Sequence, residues 1–123
     1  MKIIIDTHIF LWSLADPARI AKHKLIELES PTNTIYVSSI TIAELMIKAS
    51  LGKLQINFDP LDLALQSGFE ILDFSGHDAL QLLNLPFHHR DPFDRMLISQ
   101  SIVTKYPFMT DDNNIKLYDC QVI

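Results

Sequence analysis

The twelve residues MKIIIDTHIFLW (1–12) decide how this chain is read. A short apolar run of isoleucines fits a strand buried on both faces, and the stretch IFLWSLA that follows has helical spacing. Between them stands Asp6. Burying an isolated carboxylate costs several kcal/mol unless it is paired, hydrogen-bonded or bound to a metal, so an acid at the end of an apolar strand marks a place with a use.

The rest of the chain repeats the alternation. Strand-sized runs occur at TIYVS (34–38), FEILDF (69–74), YPFMT (106–110) and, as a further candidate, YDCQVI (118–123). Between them lie IAKHKLIELE, ITIAELMIKASLGK, PLDLALQSG, HDALQLLNL and DPFDRMLISQSIVTKY, each with helical periodicity. Alternating strands and helices imply βαβ units and a mostly parallel α/β sheet. The punctuation agrees: Ser38 and Ser39 are placed to cap the helix carrying Glu44, Gly52 and Gly68 fall where helices should stop, and Pro60 and Pro92 suit first turns.

Composition bounds the class. At 123 residues the chain fits a single domain, 1–123, large enough to bury a core without disulfides or structural zinc. Hydrophobic residues make up 48% and charged ones 20%, a globular profile. Cys120 is the only cysteine, so no internal disulfide forms, and that usage fits the cytosol. Asp6, His8 and Asp16 interrupt the early apolar stretches, so neither a signal peptide nor a spanning helix is read, and the expected location is cytoplasmic with no membrane association. A formal charge of −5 argues against gripping nucleic acid through bulk positive charge, but leaves open a nucleic-acid substrate handled through metal ions.

In open α/β sheets ligands bind beyond the carboxyl ends of the strands. Asp6, Asp73 and the pair Asp111–Asp112 follow strand candidates, and Glu44, Asp91 and Asp94 lie on helices. With a parallel sheet, Asp6 and Asp112 emerge on one edge, and the start of the DPFDR helix can deliver Asp94 beside them. Clustered carboxylates repel one another, and hard ions such as Mg²⁺ or Mn²⁺ are the usual means of holding them together. Each acid also has a plainer reading. Asp91 before Pro92 is a helix cap, Glu44 with Lys48 four residues on makes a surface pair, Asp73 is a solvated strand end, and TDD at 110–112 has turn chemistry. Asp94 reads equally as an acid placed by the helix dipole or as one facing something specific. His88, His89, Arg90 and Arg95 form the only basic cluster near these acids, a rim able to receive phosphates; no zinc-binding or GxSxG pattern accompanies them.

Four blocks in order, IIIDTHIFLWSLADP, SSITIAELMIKASLGKL, GFEILDFSGHDALQLLNLPFHHRDPFDRMLISQS and FMTDDNNIKLYDCQVI, resemble the PIN-domain ribonucleases, and within them the VapC-type toxins of bacterial toxin–antitoxin pairs. The resemblance covers essentially the whole chain. It implies a three-layer α/β/α sandwich on a five-strand, mainly parallel sheet, and an Mg²⁺- or Mn²⁺-dependent endoribonuclease. It further implies an acidic pocket of Asp6, Glu44, Asp94 and Asp112, with Asp6 and Asp94 as the direct metal ligands. Thr110 and Asp91 would support that pocket, and Arg90 and Arg95 would meet the substrate. For the fourth acid it favours Asp112 over Asp111. The implied partners are RNA, a cognate antitoxin and a second copy of the chain; Phe10, Leu11 and Trp12 offer more apolar surface than one small core needs, and the plainer reading of Trp12 is core burial. Two other readings stand beside it: a receiver-like, Mg²⁺-binding signalling domain built on Asp73 and Lys116, and a non-catalytic binding module.

Overall fold

The computed structural model describes residues 1–123. The sheet runs in the order β3-β2-β1-β4, every pairing parallel, with β1 (Lys2–Ile5) and β2 (Thr34–Ser38) in the middle and β3 (Glu70–Leu72) and β4 (Phe108–Met109) at the edges. Side chains alternate between faces along a strand, and β1 shows the consequence. Ile3 and Ile5 join Ile35, Val37 and Met109 in one core, while Ile4 joins Phe108 in the other. All three isoleucines are fully buried, each contributing about 1.5–3 kcal/mol relative to exposure.

Helices cover both faces, giving three layers. The first core also receives Ile9 and Phe10 from α1 (Thr7–Ala15), Leu45 from α3 (Ser39–Ser50) and Ala64 from α4 (Pro60–Gln66), with Leu25 and Leu28 of α2 (Lys22–Glu29) packed against it. The second receives Leu97 and Ile98 from α6 (Pro92–Thr104), together with Leu85, Ile115 and Tyr118. A short α5 (Gly76–Gln81) packs on α6. The expected caps form: the Ser38 side chain accepts from Ile40 N–H, and Asp91 accepts from Phe93 and Asp94 N–H ahead of Pro92. Gly52 and Gly68 take φ of +72° and +85°, the left-handed turn that releases α3 and α4. No helix is long and apolar enough to cross a membrane.

Two expectations are corrected here. The sheet has four strands, not five, because the C-terminal run makes a single parallel bridge, Phe108 with Val122. Its partner β4 is only two residues long, following Pro107, which carries no N–H to extend a ladder. The second concerns Phe10, Leu11 and Trp12, where the reading as spare partner surface gives way to the plainer one, core burial. Phe10 is fully buried, Leu11 and Trp12 pack against the first core, and the Arg19 guanidinium lies 4.6 Å over the Trp12 ring.

Candidate active site

The carboxyl ends of β1, β2 and β4 converge beside the start of α6, and Asp6 answers the question its position raised. Its Oδ1 accepts from Ile9 N–H at 2.8 Å, capping α1, while Oδ2 accepts from the Thr110 hydroxyl at 2.5 Å. That hydroxyl in turn accepts from Asp112 N–H, so one threonine joins the ends of β1 and β4. Burial nevertheless pushes the Asp6 carboxyl pKa above its ordinary value, against the hydrogen bonds from Thr110 and Ile9.

Glu44 is only 5% exposed, so its carboxylate is buried although Lys48, its i+4 partner, reaches solvent. Its Oε1 accepts from the Thr7 hydroxyl at 2.8 Å and its Oε2 from Lys48 Nζ. Because Thr7 gives its single proton to Glu44, the Thr41 hydroxyl 3.0 Å away must be the donor in the Thr7–Thr41 contact. The hydrogen bond to Glu44 holds the Lys48 pKa above its usual value. Sequence reasoning missed Thr7 and Thr41; the one signal was Thr7 directly after Asp6, where a strand turns into a helix.

Asp94, half-buried in the first turn of α6, accepts no hydrogen bond from the protein. Its pKa is pushed up to about 6, first by burial and then by repulsion from Asp91 and Glu44, with a smaller push from Asp6 and an opposing pull from His89. Asp91, Glu44 and Asp6 therefore all stand within reach of the charge on Asp94.

Asp112 and Asp111 diverge. Asp112 caps a 3₁₀ turn, Asn113–Leu117, through Asn114 N–H, and its Oδ2 lies 3.0 Å from His89 Nε2; Asp111 pairs with Lys24 at 2.7 Å. The His89 contact is close but not aligned as a hydrogen bond, which leaves Nε2 without a linear partner. A cavity of about 530 Å³ opens along this flank, lined by Lys24, Thr110, Asp111, Asp112, Asn113 and Lys116 among others. The largest concavity, about 550 Å³ and lined by Leu28, Ile35 and Phe69, sits where β2 and β3 begin, away from the acids.

The basic rim differs from expectation. Arg90 and His88 are exposed, but Arg95 is 8% exposed. Its guanidinium donates to the carbonyls of Leu85, Pro86 and His89 and lies 4.1 Å from the Phe87 ring centroid. A cation so close to apolar side chains is stabilised by carbonyl dipoles, and it shapes the 85–90 loop instead of facing solvent.

No three His, Cys, Asp or Glu side chains are gathered tightly enough to enclose an ion by themselves. The donor set still suits Mg²⁺ or Mn²⁺, which are commonly held by one or two carboxylates plus water and substrate phosphate. Asp94 has both oxygens free of protein donors, Asp6 has a lone pair left on each oxygen, and mutual repulsion gives this cluster a need for positive charge.

An all-parallel α/β domain with a cluster of acids at the carboxyl ends of its strands is the class of protein defined so far. The PIN domain profile matches residues 3–119, and the chain belongs to that family. Comparison with curated protein sequences finds no significant match. Among solved structures, the chain resembles VapBC2 from Rickettsia felis bound to a DNA fragment from its promoter (TM-score 0.75, 22% identity, covering 100% of this chain and 98% of that one). It also resembles a toxin–antitoxin complex from Klebsiella pneumoniae (0.64, 19%, 98% and 95%) and Mycobacterium tuberculosis VapC20, a sarcin-ricin loop cleaving toxin (0.62, 14%, 94% and 93%). At these identities the likeness establishes the fold.

Proposed function

We propose that the chain is a divalent-metal-dependent endoribonuclease of the VapC type, the toxin of a toxin–antitoxin pair. The observation that carries this reading is the approach of Asp6 and Glu44 to Asp94 at the carboxyl end of the sheet, where burial and repulsion from neighbouring acids raise the Asp94 pKa to about 6. Asp6 and Asp94 would hold Mg²⁺ or Mn²⁺, with Glu44 and Asp112 completing the pocket and Thr110 fixing Asp6. A bound ion supplies charge to offset the negative charge growing on the phosphate and acidifies the attacking water. The chain's own residues orient the carboxylates: Thr110 and Ile9 N–H fix both oxygens of Asp6, and Thr7 and Lys48 fix both oxygens of Glu44. The family membership and the sarcin-ricin loop cleaving activity of VapC20 support RNA as the substrate.

The receiver-like alternative loses support from the strand order. Asp73 follows β3, an edge strand separated from β1 by β2, and so stands two strands away from Asp6 and not after the central strand. A non-catalytic module remains the competing outcome. The test is cleavage of total RNA by the purified chain with Mg²⁺, with Mn²⁺ and with EDTA, beside Asp6→Asn. Discrete fragments that need metal and disappear in the variant are expected. An active, folded Asp6→Asn/Asp94→Asn double variant would sink the assignment.

Two apolar faces support docking to a second copy and to an antitoxin. Leu80, Leu83 and Phe87 are exposed at 74%, 91% and 81%, and Met46, Ile47, Leu51, Leu61 and Leu65 are exposed along α3, its end and α4. Sedimentation of the free chain should give a mass that doubles with concentration, and Leu83→Glu or Leu61→Glu should return it to monomer. A monomer at all concentrations would leave these faces to the antitoxin alone.

A further inference from the structure

The acids at the end of β4 come as a pair, and the structure treats the two differently. Lys24, buried on α2, donates from Nζ to the Thr110 carbonyl at 2.6 Å and to Asp111 Oδ1 at 2.7 Å. That draws Asp111 toward α2, where its side chain is about half exposed. Asp112 turns the other way, its Oδ2 lying 3.0 Å from His89 Nε2.

His89 is held from two sides. Its N–H donates to the Tyr118 hydroxyl at 2.8 Å, and its carbonyl accepts from Arg95 Nη1 at 3.2 Å. Its side chain is only 11% exposed, and it stands two residues before Asp91, the cap that starts α6. The imidazole therefore lies between the β4 turn and the helix that carries Asp94, close enough to oppose the repulsion on that carboxyl. The Asp112 carboxylate has two polar neighbours, Asn114 N–H on Oδ1 and the His89 imidazole beside Oδ2.

We propose that His89 is a positioning residue that presents Asp112 to the acids of α6, while Lys24 withdraws Asp111, so that the chain chooses one of two adjacent acids through two different side chains. This rests on the metal-dependent nuclease reading above. Lys24 sits directly on the Asp111 carboxylate, 2.7 Å from its Oδ1. Groups behind a metal site that orient its ligands are worth roughly 10–100-fold in metal affinity or activity, which sets the scale of the effect.

The test uses the full chain and two readouts, Mn²⁺ affinity and cleavage of a labelled RNA, with melting temperature followed throughout. His89→Ala should lower the cleavage rate about 10–100-fold with little change in KM, and His89→Gln, which keeps a donor near the Nε2 position, should restore it to within about fivefold. Asp112→Asn should weaken both readouts, Asp111→Asn should leave both within about twofold, and His89→Ala/Asp112→Asn should be no worse than Asp112→Asn alone. Additive losses in the double variant, or an Asp111→Asn defect larger than that of Asp112→Asn, would overturn the proposal. If His89→Ala does not fold, the two Asp variants and His89→Gln still decide it. A wild-type chain that binds Mn²⁺ with this variant pattern but cuts no RNA would end the nuclease reading and keep the positioning role; no Mn²⁺ binding at all would end both.

Discussion

Asp94→Asn should make the metal-free protein more stable at neutral pH while lowering RNA cleavage by at least about a thousandfold. The stability gain follows from proton linkage. With its pKa raised from 3.8 to about 6, folded Asp94 binds its proton more tightly than the unfolded chain does. Between those two values the native state carries more protons, so stability falls as pH rises through the window, and above pH 6 the whole cost of ionising Asp94 is present. The shift would correspond to about 3 kcal/mol in a dry site, and solvent around this half-buried side chain reduces it to about 1 kcal/mol. Asparagine keeps the shape and removes the charge. In EDTA at pH 7.5 the variant should melt a few degrees above wild type, and near pH 3.5 the difference should vanish, since there both forms are neutral. Loss of a direct ion ligand acts on the other side of the balance: an ion contributes several kcal/mol of transition-state charge stabilisation, and each 1.36 kcal/mol is about tenfold in rate. Wild type should also gain melting temperature on adding Mn²⁺ and the variant should not. A variant less stable than wild type in EDTA would make Asp94 a structural residue and remove it from the site.

The repulsion at Asp94 arises from one local acid, Asp91, and from Glu44 and Asp6, far apart in sequence, and the same division between local and long-range contacts decides which parts of the molecule are legible in advance. β1 and β2 fall where KIII and TIYVS placed them because a buried parallel strand needs only a local apolar run and a stop, both visible in the sequence. α6 begins where Asp91-Pro92 placed it because the cap is likewise local. The C-terminal YDCQVI had the composition of a strand, yet strand length is set by the partner, and a two-residue β4 offers little to pair with. Glu44 and Lys48 are legible as an i,i+4 pair, but the burial of Glu44 comes with Thr7 arriving from α1. The contest within TDD depends on Lys24 from α2 and His89 from the loop before α6, contacts between residues far apart in sequence. Local chemistry announced the acids, and tertiary contacts decided how each is held.

Arg95 carries that lesson into a second large effect: Arg95→Ala should cost about 3 kcal/mol of stability and, with it, most of the cleavage activity of whatever fraction still folds. The guanidinium satisfies the carbonyls of Leu85, Pro86 and His89 and lies against the Phe87 ring, so truncation strands three acceptors and opens space beneath the loop. Removing one partner from a buried charged network typically costs about 3–5 kcal/mol, and the partial exposure of this loop argues for the lower end. For a domain of this size that corresponds to a fall of roughly 10 °C in melting temperature. Lysine should not rescue it, because a single ammonium cannot reproduce the planar fork that reaches three carbonyls at once. Activity should fall further than stability does, since the same loop carries His89 toward Asp112. Cleavage measured well below the variant's melting temperature separates the two effects. Full activity there would mean that the loop holds its shape without Arg95, and that the arginine serves stability alone.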